Sequence, residues 1–130
     1  MFTQPELDYL ATQRLGRLAT VQPDGTLQVN PVGFTYNADT RTIDIGGYNM
    51  TASRKYRNVA ANGRAAFVVD DVPSVDPWRV RCLEIRGRAE AVGAIIRIHP
   101  RRIISFGIDE TDRAPLEMTV SRRTVPENGD

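Results

Sequence analysis

The stretch LEIRGRAEA, residues 83–91, decides the fold, because apolar and charged side chains alternate along it. Successive side chains of a β-strand point to opposite faces of the sheet, so this pattern predicts a long antiparallel strand with one face buried and the other in water. Gly87 occupies one of the apolar positions and marks the expected place of a bend. The chain is therefore expected to be built around an antiparallel sheet.

Apolar runs and turn signals on both sides of this stretch predict further strands. Residues 65–69 form a continuous apolar run, which is typical of a strand buried on both faces, and an Asp- and Pro-rich loop is expected over residues 70–77. The turn signal Pro23-Asp24-Gly25 separates the two strands of a predicted hairpin. The six predicted strands cover residues 18–21, 27–36, 42–45, 65–69, 83–91 and 95–106.

Two short helices are predicted outside the strands. Thr3 and Glu6 have the spacing of a capping box, in which each side chain bonds the backbone N–H of the other, and they predict a helix over residues 4–14. Thr51 is expected to cap a second helix over residues 52–61. Two helices are too few to connect parallel strands, so the predicted fold class is mainly β, a closed or half-closed antiparallel barrel.

Length and composition limit the classes of protein that the chain can be. Its 130 residues suit one domain, and 17 basic against 16 acidic residues leave a net charge of +1, so no binding to nucleic acid or to a membrane is expected. One cysteine and one histidine predict neither a disulfide nor a metal site. No apolar run approaches the roughly 20 residues of a spanning helix, and no signal-peptide pattern is present, so a cytoplasmic location is expected.

The strongest local signal is TASRKYR, residues 51–57, which places two hydroxyls and three cations at the start of the second predicted helix. A helix N-terminus offers free N–H groups and the positive end of the helix dipole, so this segment is suited to a phosphate group. The alternative is a solvated basic face, because cations near an N-terminus are unfavourable to the dipole.

A second candidate is QVNPV, residues 28–32, where Pro31 interrupts a predicted strand between polar side chains. A strand edge of this kind can hydrogen-bond a heterocycle through its free backbone groups. The alternative is an edge strand that proline protects from aggregation.

Three other residue types that often carry function receive plainer interpretations. Trp78 follows Asp76-Pro77 and could stack on a flat ring or lie in a dimer interface. His99 has no partnered nucleophile in its sequence neighbourhood and is interpreted as structural, and Cys82 as a small buried hydrophobe.

Three segments together resemble the pyridoxamine-phosphate-oxidase-like split-barrel flavoprotein superfamily. They are LGRLATV with its Pro23-Asp24-Gly25 turn, PVGF at residues 31–34, and SRKYRNV at residues 53–59. Residues 96–107 and the short chain look like the actinobacterial branch of deazaflavin (coenzyme F420)-dependent oxidoreductases. The resemblance implies a six-stranded antiparallel FMN-binding split barrel over residues 1–109, homodimeric. Residues 110–130 have no counterpart in the resemblance, and their prolines and polar end predict a tail that is mobile or packed on the partner subunit.

The resemblance also implies where a cofactor binds. Its phosphate would lie on residues 53–57, its ring along residues 28–32, and the partner subunit would approach the site at residues 78–79. No catalytic side chain is assigned, because in such enzymes the cofactor carries the chemistry. The implied cofactor-binding residues are Gln28, Val29, Asn30, Pro31, Val32, Thr51, Ser53, Arg54, Lys55, Arg57, Trp78 and Arg79.

The function implied by the resemblance is that of a reductase, in which reduced coenzyme F420 transfers hydride to a conjugated small-molecule acceptor. Two alternatives remain open: an FMN-dependent oxidase or reductase, and a non-catalytic protein that binds a flavin or deazaflavin. One departure from the F420 branch is that only Gly93-Ala94 separate the last two predicted strands, so the connection there is either trimmed or lacks a loop.

Overall fold

The computed structural model describes residues 1–109 and 119–127. A 3₁₀ turn, Met50–Ala52, precedes the second helix. The helices and strands in chain order are α1 (Gln4–Thr12), β1 (Leu15–Val21), β2 (Leu27–Gly33), β3 (Thr35–Asn37), β4 (Thr42–Ile45), α2 (Arg54–Asn62), β5 (Arg64–Val75), β6 (Trp78–Val92), β7 (Ile95–Phe106) and β8 (Ser121–Thr124).

All strand pairs of the described residues are antiparallel, and they form one sheet in the order β2-β1-β5-β6-β7-β4-β3. Strand β8 pairs with residues 102–105 of β7, beyond the end of β4. The sheet curls into a half-barrel with the two helices packed against it. The predicted fold class, a mainly β antiparallel split barrel, is therefore confirmed.

The described part of the chain has eight strands where the sequence predicted six. The predicted strand over residues 27–36 is divided at Phe34, because the chain leaves β1 after Gly33 and pairs with β4 as β3. The other additional strand is β8, which lies in the region predicted as a tail. Residues 121–124 extend the sheet of their own chain, and Val125 is buried.

The predicted loop over residues 70–77 is wrong, because β5 continues to Val75 and pairs with β6 as far as Trp78. The polar residues of this segment are compatible with a strand since Asp71 forms an ion pair with Arg81 on β6. A register shift between Asp71 and Ser74 leaves the intervening proline out of the ladder, which it could not join as a donor.

The helix termini differ from prediction in two places. The capping box of Thr3 and Glu6 is confirmed, but α1 ends at Thr12 rather than at residue 14. Thr51 is not the cap of α2, because it lies within the 3₁₀ turn, and Ser53 caps the helix instead.

The core lies on the concave face of the sheet, where Leu83 and Ile85 of β6 are fully buried. The bend predicted at Gly87 is confirmed as a register shift against β7. An added Cβ at Gly87 would lie 2.2 Å from the His99 carbonyl oxygen, so only glycine fits there. On β5, Phe67 is buried while its neighbours Ala66 and Val68 are half-buried on the outer face, so a single chain does not bury both faces of this strand as predicted.

The Gly93-Ala94 connection is a complete two-residue turn. Val92 pairs with Ile95 directly across it, and Gly93 has a φ of 57°, in the left-handed region that such tight turns require. The connection is therefore trimmed, and no loop is missing.

Glu6 joins the two ends of the described chain. Its carboxylate is 2% exposed and accepts hydrogen bonds from the Thr3 N–H, the Ser105 hydroxyl and the Arg123 guanidinium of β8. Burial raises the pKa of Glu6, but the hydrogen bonds from Arg123, Thr3 and Ser105 outweigh burial and hold the pKa below its ordinary value. This ion pair attaches β8 to α1.

The substitution Arg123→Met should lower the free energy of unfolding by about 3 kcal/mol at neutral pH, because it leaves a buried carboxylate without its cationic partner. Since the pKa of Glu6 is depressed in the folded protein, the stability it contributes is present above the ordinary carboxyl pKa and is lost as the pH falls through the folded value. Urea denaturation at a series of pH values should therefore show the deficit shrinking below about pH 4.

The matched control for this substitution is Arg122→Met, which changes an exposed arginine on the same strand. An equal loss of stability in both variants, or a deficit for Arg123→Met that does not depend on pH, would contradict the role given to the ion pair.

Candidate functional site

Helix α2 is capped by Ser53, whose hydroxyl accepts from the Tyr56 N–H at 3.3 Å and donates to the Met50 carbonyl at 2.7 Å. The hydroxyl of this predicted phosphate ligand is therefore engaged in capping the helix. The N–H groups of Arg54 and Lys55 follow the cap and have no acceptor within the helix. They leave α2 with the type of N-terminus that binds anions.

Of the three predicted cations, Arg54 and Lys55 stand four and three residues before the buried Asn58 and so neighbour it on α2. Hydrogen bonds from Thr26 lower the pKa of Asp24, and the charge of the exposed Arg54 lowers it further. Lys55 lies one turn before the buried Asn58 on the same helix face. Arg57 is exposed and lies about 200° around the helix from Lys55.

The alternation of β2 sorts its predicted site residues into two sets. Gln28 pairs with the buried Thr20, and with Asn30 and Val32 it faces the side of the sheet that α2 covers. Val29 and Pro31 are exposed on the opposite face. Among the described strands β2 is an edge strand, so Pro31 can occupy it without breaking the ladder.

Two asparagines attach α2 to the β1–β2 hairpin. The Nδ2 of Asn58 donates to the Thr20 hydroxyl at 3.1 Å and to the Gln28 Oε1 at 3.4 Å, and the Nδ2 of Asn62 donates to the Val21 carbonyl at 2.8 Å. These hydrogen bonds therefore fix the position of α2 relative to β2. We call Gln28, Asn30, Arg54 and Lys55 the α2–β2 site.

Trp78 and Arg79 lie at the other end of the molecule. They begin β6 at the tip of the β5–β6 hairpin. The opposite end of the hairpin lies near α2, because Arg88 of β6 pairs with Arg64, two residues after the end of the helix. The ten residues from Trp78 to Arg88 span roughly 30 Å at the usual rise of a strand. Within one chain the structure thus does not bring these two residues to the α2–β2 site.

The tip of the hairpin has unsatisfied surface of its own. Trp78 is 55% exposed, and Nη1 of Arg79 is the buried side-chain nitrogen of the described residues that has no hydrogen-bond partner. A buried donor without a partner is costly, so this end of the hairpin is suited to meeting another group.

Tyr48 and Asn49, for which the sequence predicts no role, lie in the connection that leads into α2. Tyr48 is completely exposed, and Asn49 has a left-handed φ of 54°. An exposed aromatic ring beside a cationic helix terminus can stack on a flat ligand. The signal that could have found it is the Gly46-Gly47 pair, which frees the chain just before this tyrosine.

The structural interpretation of His99 agrees with its surroundings, whereas Cys82 is half-buried and not buried as predicted, because it alternates with the inward-facing Leu83. Burial raises the pKa of the Cys82 thiol to about 11, so the thiol is protonated and unreactive near neutrality. Nε2 of His99 lies 2.7 Å from a Glu90 carboxylate oxygen, on the outer face of the sheet. The described residues contain no cluster of His, Cys, Asp or Glu that could hold a metal ion, and none of their helices is long and apolar enough to cross a membrane.

The outer face of β1, β2 and β5 carries exposed apolar side chains beside the ion pair of Arg17 and Asp70. Leu15, Leu27 and Val29 are 56%, 75% and 65% exposed there. A cavity of about 320 Å³ lies between Val29 and the half-buried Ala66 and Val68, with Arg17 and Glu84 also lining it. Contiguous apolar surface of this kind is typical of a protein interface.

A curled antiparallel half-barrel, with a helix N-terminus beside an edge strand, defines a split-barrel protein. The model of the family described as pyridoxamine 5′-phosphate oxidase matches residues 3–112. The chain belongs to this family.

Known proteins similar to the chain agree with this assignment. A protein of Streptomyces rimosus named 5a,11a-dehydrotetracycline/5a,11a-dehydrooxytetracycline reductase is 48% identical over 120 residues, which cover 83% of this chain and 84% of the relative. A conserved hypothetical protein of Mycobacterium tuberculosis has a similar structure, with a TM-score of 0.69 and 19% identity over 87% of this chain and 89% of that one.

A further similar structure is that of a protein described as an F420 reductase. Its TM-score is 0.52 and its identity 28%, over 67% of this chain and 86% of the other. The relationship to the Streptomyces reductase confirms the prediction that the chain is an enzyme of the oxidoreductase class.

Proposed function

We propose that the chain is a reductase that binds a flavin-type cofactor, first of all the deazaflavin coenzyme F420, and passes hydride to a conjugated small-molecule acceptor. The observation that carries the proposal is the α2–β2 site. It sets the cations Arg54 and Lys55 and the free N–H groups of a helix terminus beside the amide side chains of an edge strand. The Streptomyces relative and the F420 reductase support the choice of reaction and of cofactor.

The residues present fit the two ends of such a cofactor. Phosphate requires cations and N–H donors, which the first turn of α2 supplies. A heterocyclic ring requires hydrogen-bonding groups along one edge and a flat surface, which the Gln28 and Asn30 amides, the free backbone edge of β2 and the Tyr48 ring supply. When bound, reduced F420 provides the hydride, and the protein binds and orients it and limits access of water.

The acceptor is proposed to be a molecule with a conjugated carbon–carbon double bond. The Streptomyces relative is named for a dehydro compound, and a double bond of this type is what a dehydro compound offers for reduction. The FMN-dependent oxidase or reductase remains the second candidate, since FMN carries a phosphate and a tricyclic ring that the same donors fit.

We also propose that the active form is a homodimer with a site at each end of its interface. The apolar outer face around Leu27 and Val29 would be covered by a second chain. The same contact would bring Trp78 and Arg79 of the partner subunit toward the α2–β2 site, which lies out of their reach within one chain.

Titration with F420 and, separately, with FMN tests the cofactor. Binding followed by cofactor fluorescence should give one cofactor per subunit, with an affinity at least tenfold higher for F420 than for FMN, about 1.4 kcal/mol. Turnover of reduced F420 with a panel of conjugated acceptors then separates an enzyme from a binding protein. Preference for FMN would replace the proposed cofactor, and binding of neither would refute the proposal.

The first turn of α2 should make unequal contributions to binding. Lys55→Ala should weaken the affinity for the cofactor about 10- to 100-fold, because a charge-assisted hydrogen bond to phosphate is lost. Arg57→Ala should weaken it less, since this side chain points away from the α2–β2 site. The matched control is Arg64→Ala, which removes one positive charge beyond the C-terminus of α2. If this variant weakened cofactor binding as much as Lys55→Ala does, the cations would attract the cofactor non-specifically.

Substitution on the outer face tests the dimer. The unsubstituted chain should have twice its 14.5 kDa mass by light scattering, and Leu27→Glu should yield monomers because it places a charge in the apolar contact. The affinity for the cofactor should fall in the monomeric variant, since the partner's hairpin is then absent from the site. Val92→Glu, an exposed apolar position at the far end of β6, is the control. A monomeric parent chain with full cofactor affinity would refute this proposal.

A further inference from the structure

Asn58 occupies an unusual place for an amide side chain, because it lies on the inner face of α2 and is only 2% exposed. Its Nδ2 donates to two acceptors on different strands, the Thr20 hydroxyl and the Gln28 side-chain oxygen. A buried amide is expensive unless its donors are used, and here both are. Asn58 therefore does more than fill the core.

The direction of these hydrogen bonds determines which end of the Gln28 amide is available. Oε1 of Gln28 accepts from Asn58, whereas the two N–H donors of its Nε2 have no acceptor among the described residues. Rotation of this amide alone by half a turn would place its NH₂ group against the Nδ2 donor of Asn58. In the orientation that the structure shows, Gln28 presents a donor and not an acceptor.

We propose that Asn58 is a positioning residue, which holds the Gln28 amide so that its Nε2 donates to a carbonyl oxygen of the cofactor ring. This inference rests on the proposed function. A donor at that point is more favourable for the reduced ring, which is richer in electrons, than for the oxidised ring. Asn58 thereby acts on the reduction potential of the bound cofactor without touching it.

Asn62 provides a matched comparison for a merely structural role. It lies one turn further along α2 and attaches the helix to the same hairpin, through a hydrogen bond of 2.8 Å to the Val21 carbonyl. Its hydrogen-bond partners are Val21 and Arg64, and neither belongs to the α2–β2 site. Removing Asn62 loosens the helix and leaves the Gln28 amide as it is.

The test is a double-mutant cycle on cofactor binding and reduction potential, with FMN as the probe and F420 as a second probe. Asn58→Leu should weaken the affinity for the reduced cofactor about tenfold more than the affinity for the oxidised cofactor. That ratio corresponds to a fall of about 30 mV in the two-electron midpoint potential. Asn62→Leu should leave the potential unchanged, although both variants lower thermal stability.

Gln28→Ala completes the cycle. If Asn58 acts through Gln28, then adding Asn58→Leu to Gln28→Ala should change the ratio of the affinities for reduced and oxidised cofactor by less than a factor of two. The midpoint potential should then stay nearly the same. Should Asn58→Leu fail to fold, Asn58→Ser takes its place in the cycle. Serine keeps a small polar side chain at this buried position, but it is too short to reach both the Thr20 hydroxyl and the Gln28 side-chain oxygen.

The outcomes separate this inference from the function on which it rests. Coupled effects of Asn58 and Gln28 on the potential support it. Additive effects, or an equal shift of potential in Asn62→Leu, overturn it while the proposed function stands. Failure of the parent chain to bind either probe overturns both.

Discussion

Strand β6 is the constraint on which the rest of the structure depends, because it pairs with β5 along one edge and with β7 along the other. Its inward residues Leu83 and Ile85 are fully buried, while its outward residues are charged, so a slip of one residue would place charges in the core. Gly87 fixes the register, since the His99 carbonyl occupies the space that any Cβ would need. The remaining strands attach to the outer edges of this three-stranded unit.

Helix α2 owes its position to the same unit. Its last residues meet β6 where the Ala89 N–H donates to the Gly63 carbonyl at 2.8 Å, and the Tyr56 hydroxyl donates to the Gly93 carbonyl at the β6–β7 turn. Asn58 and Asn62 attach the inner face of the helix to β1 and β2. Hydrogen bonds on three sides hold the helix, so the backbone of its first turn has a fixed position relative to the sheet.

The sequence predicted those features whose signals are local. The capping box of α1 and the span of β7 are found as predicted, because spacing and alternation determine them. Features that depend on distant partners were missed. Strand β8 has few apolar residues and is held by the bond of Arg123 to Glu6, more than a hundred residues away. At α2, Thr51 and Ser53 are both acceptable caps, and only the 3₁₀ turn decides between them.

The site shows the same division. The sequence of residues 53–57, together with the sheet, predicts a helix that begins beside β2. Which of its cations face the strand depends on where the buried face of α2 lies. Asn58 and Val59 define that face, and it turns Lys55 toward β2 and Arg57 away. The hairpin that carries Trp78 extends beyond the core of its own chain, away from α2, with an exposed aromatic ring at its tip and a buried arginine nitrogen that has no hydrogen-bond partner. The proposed dimer would supply a surface for this tip that its own chain lacks, so the contact that pairs the two chains would also complete the proposed site.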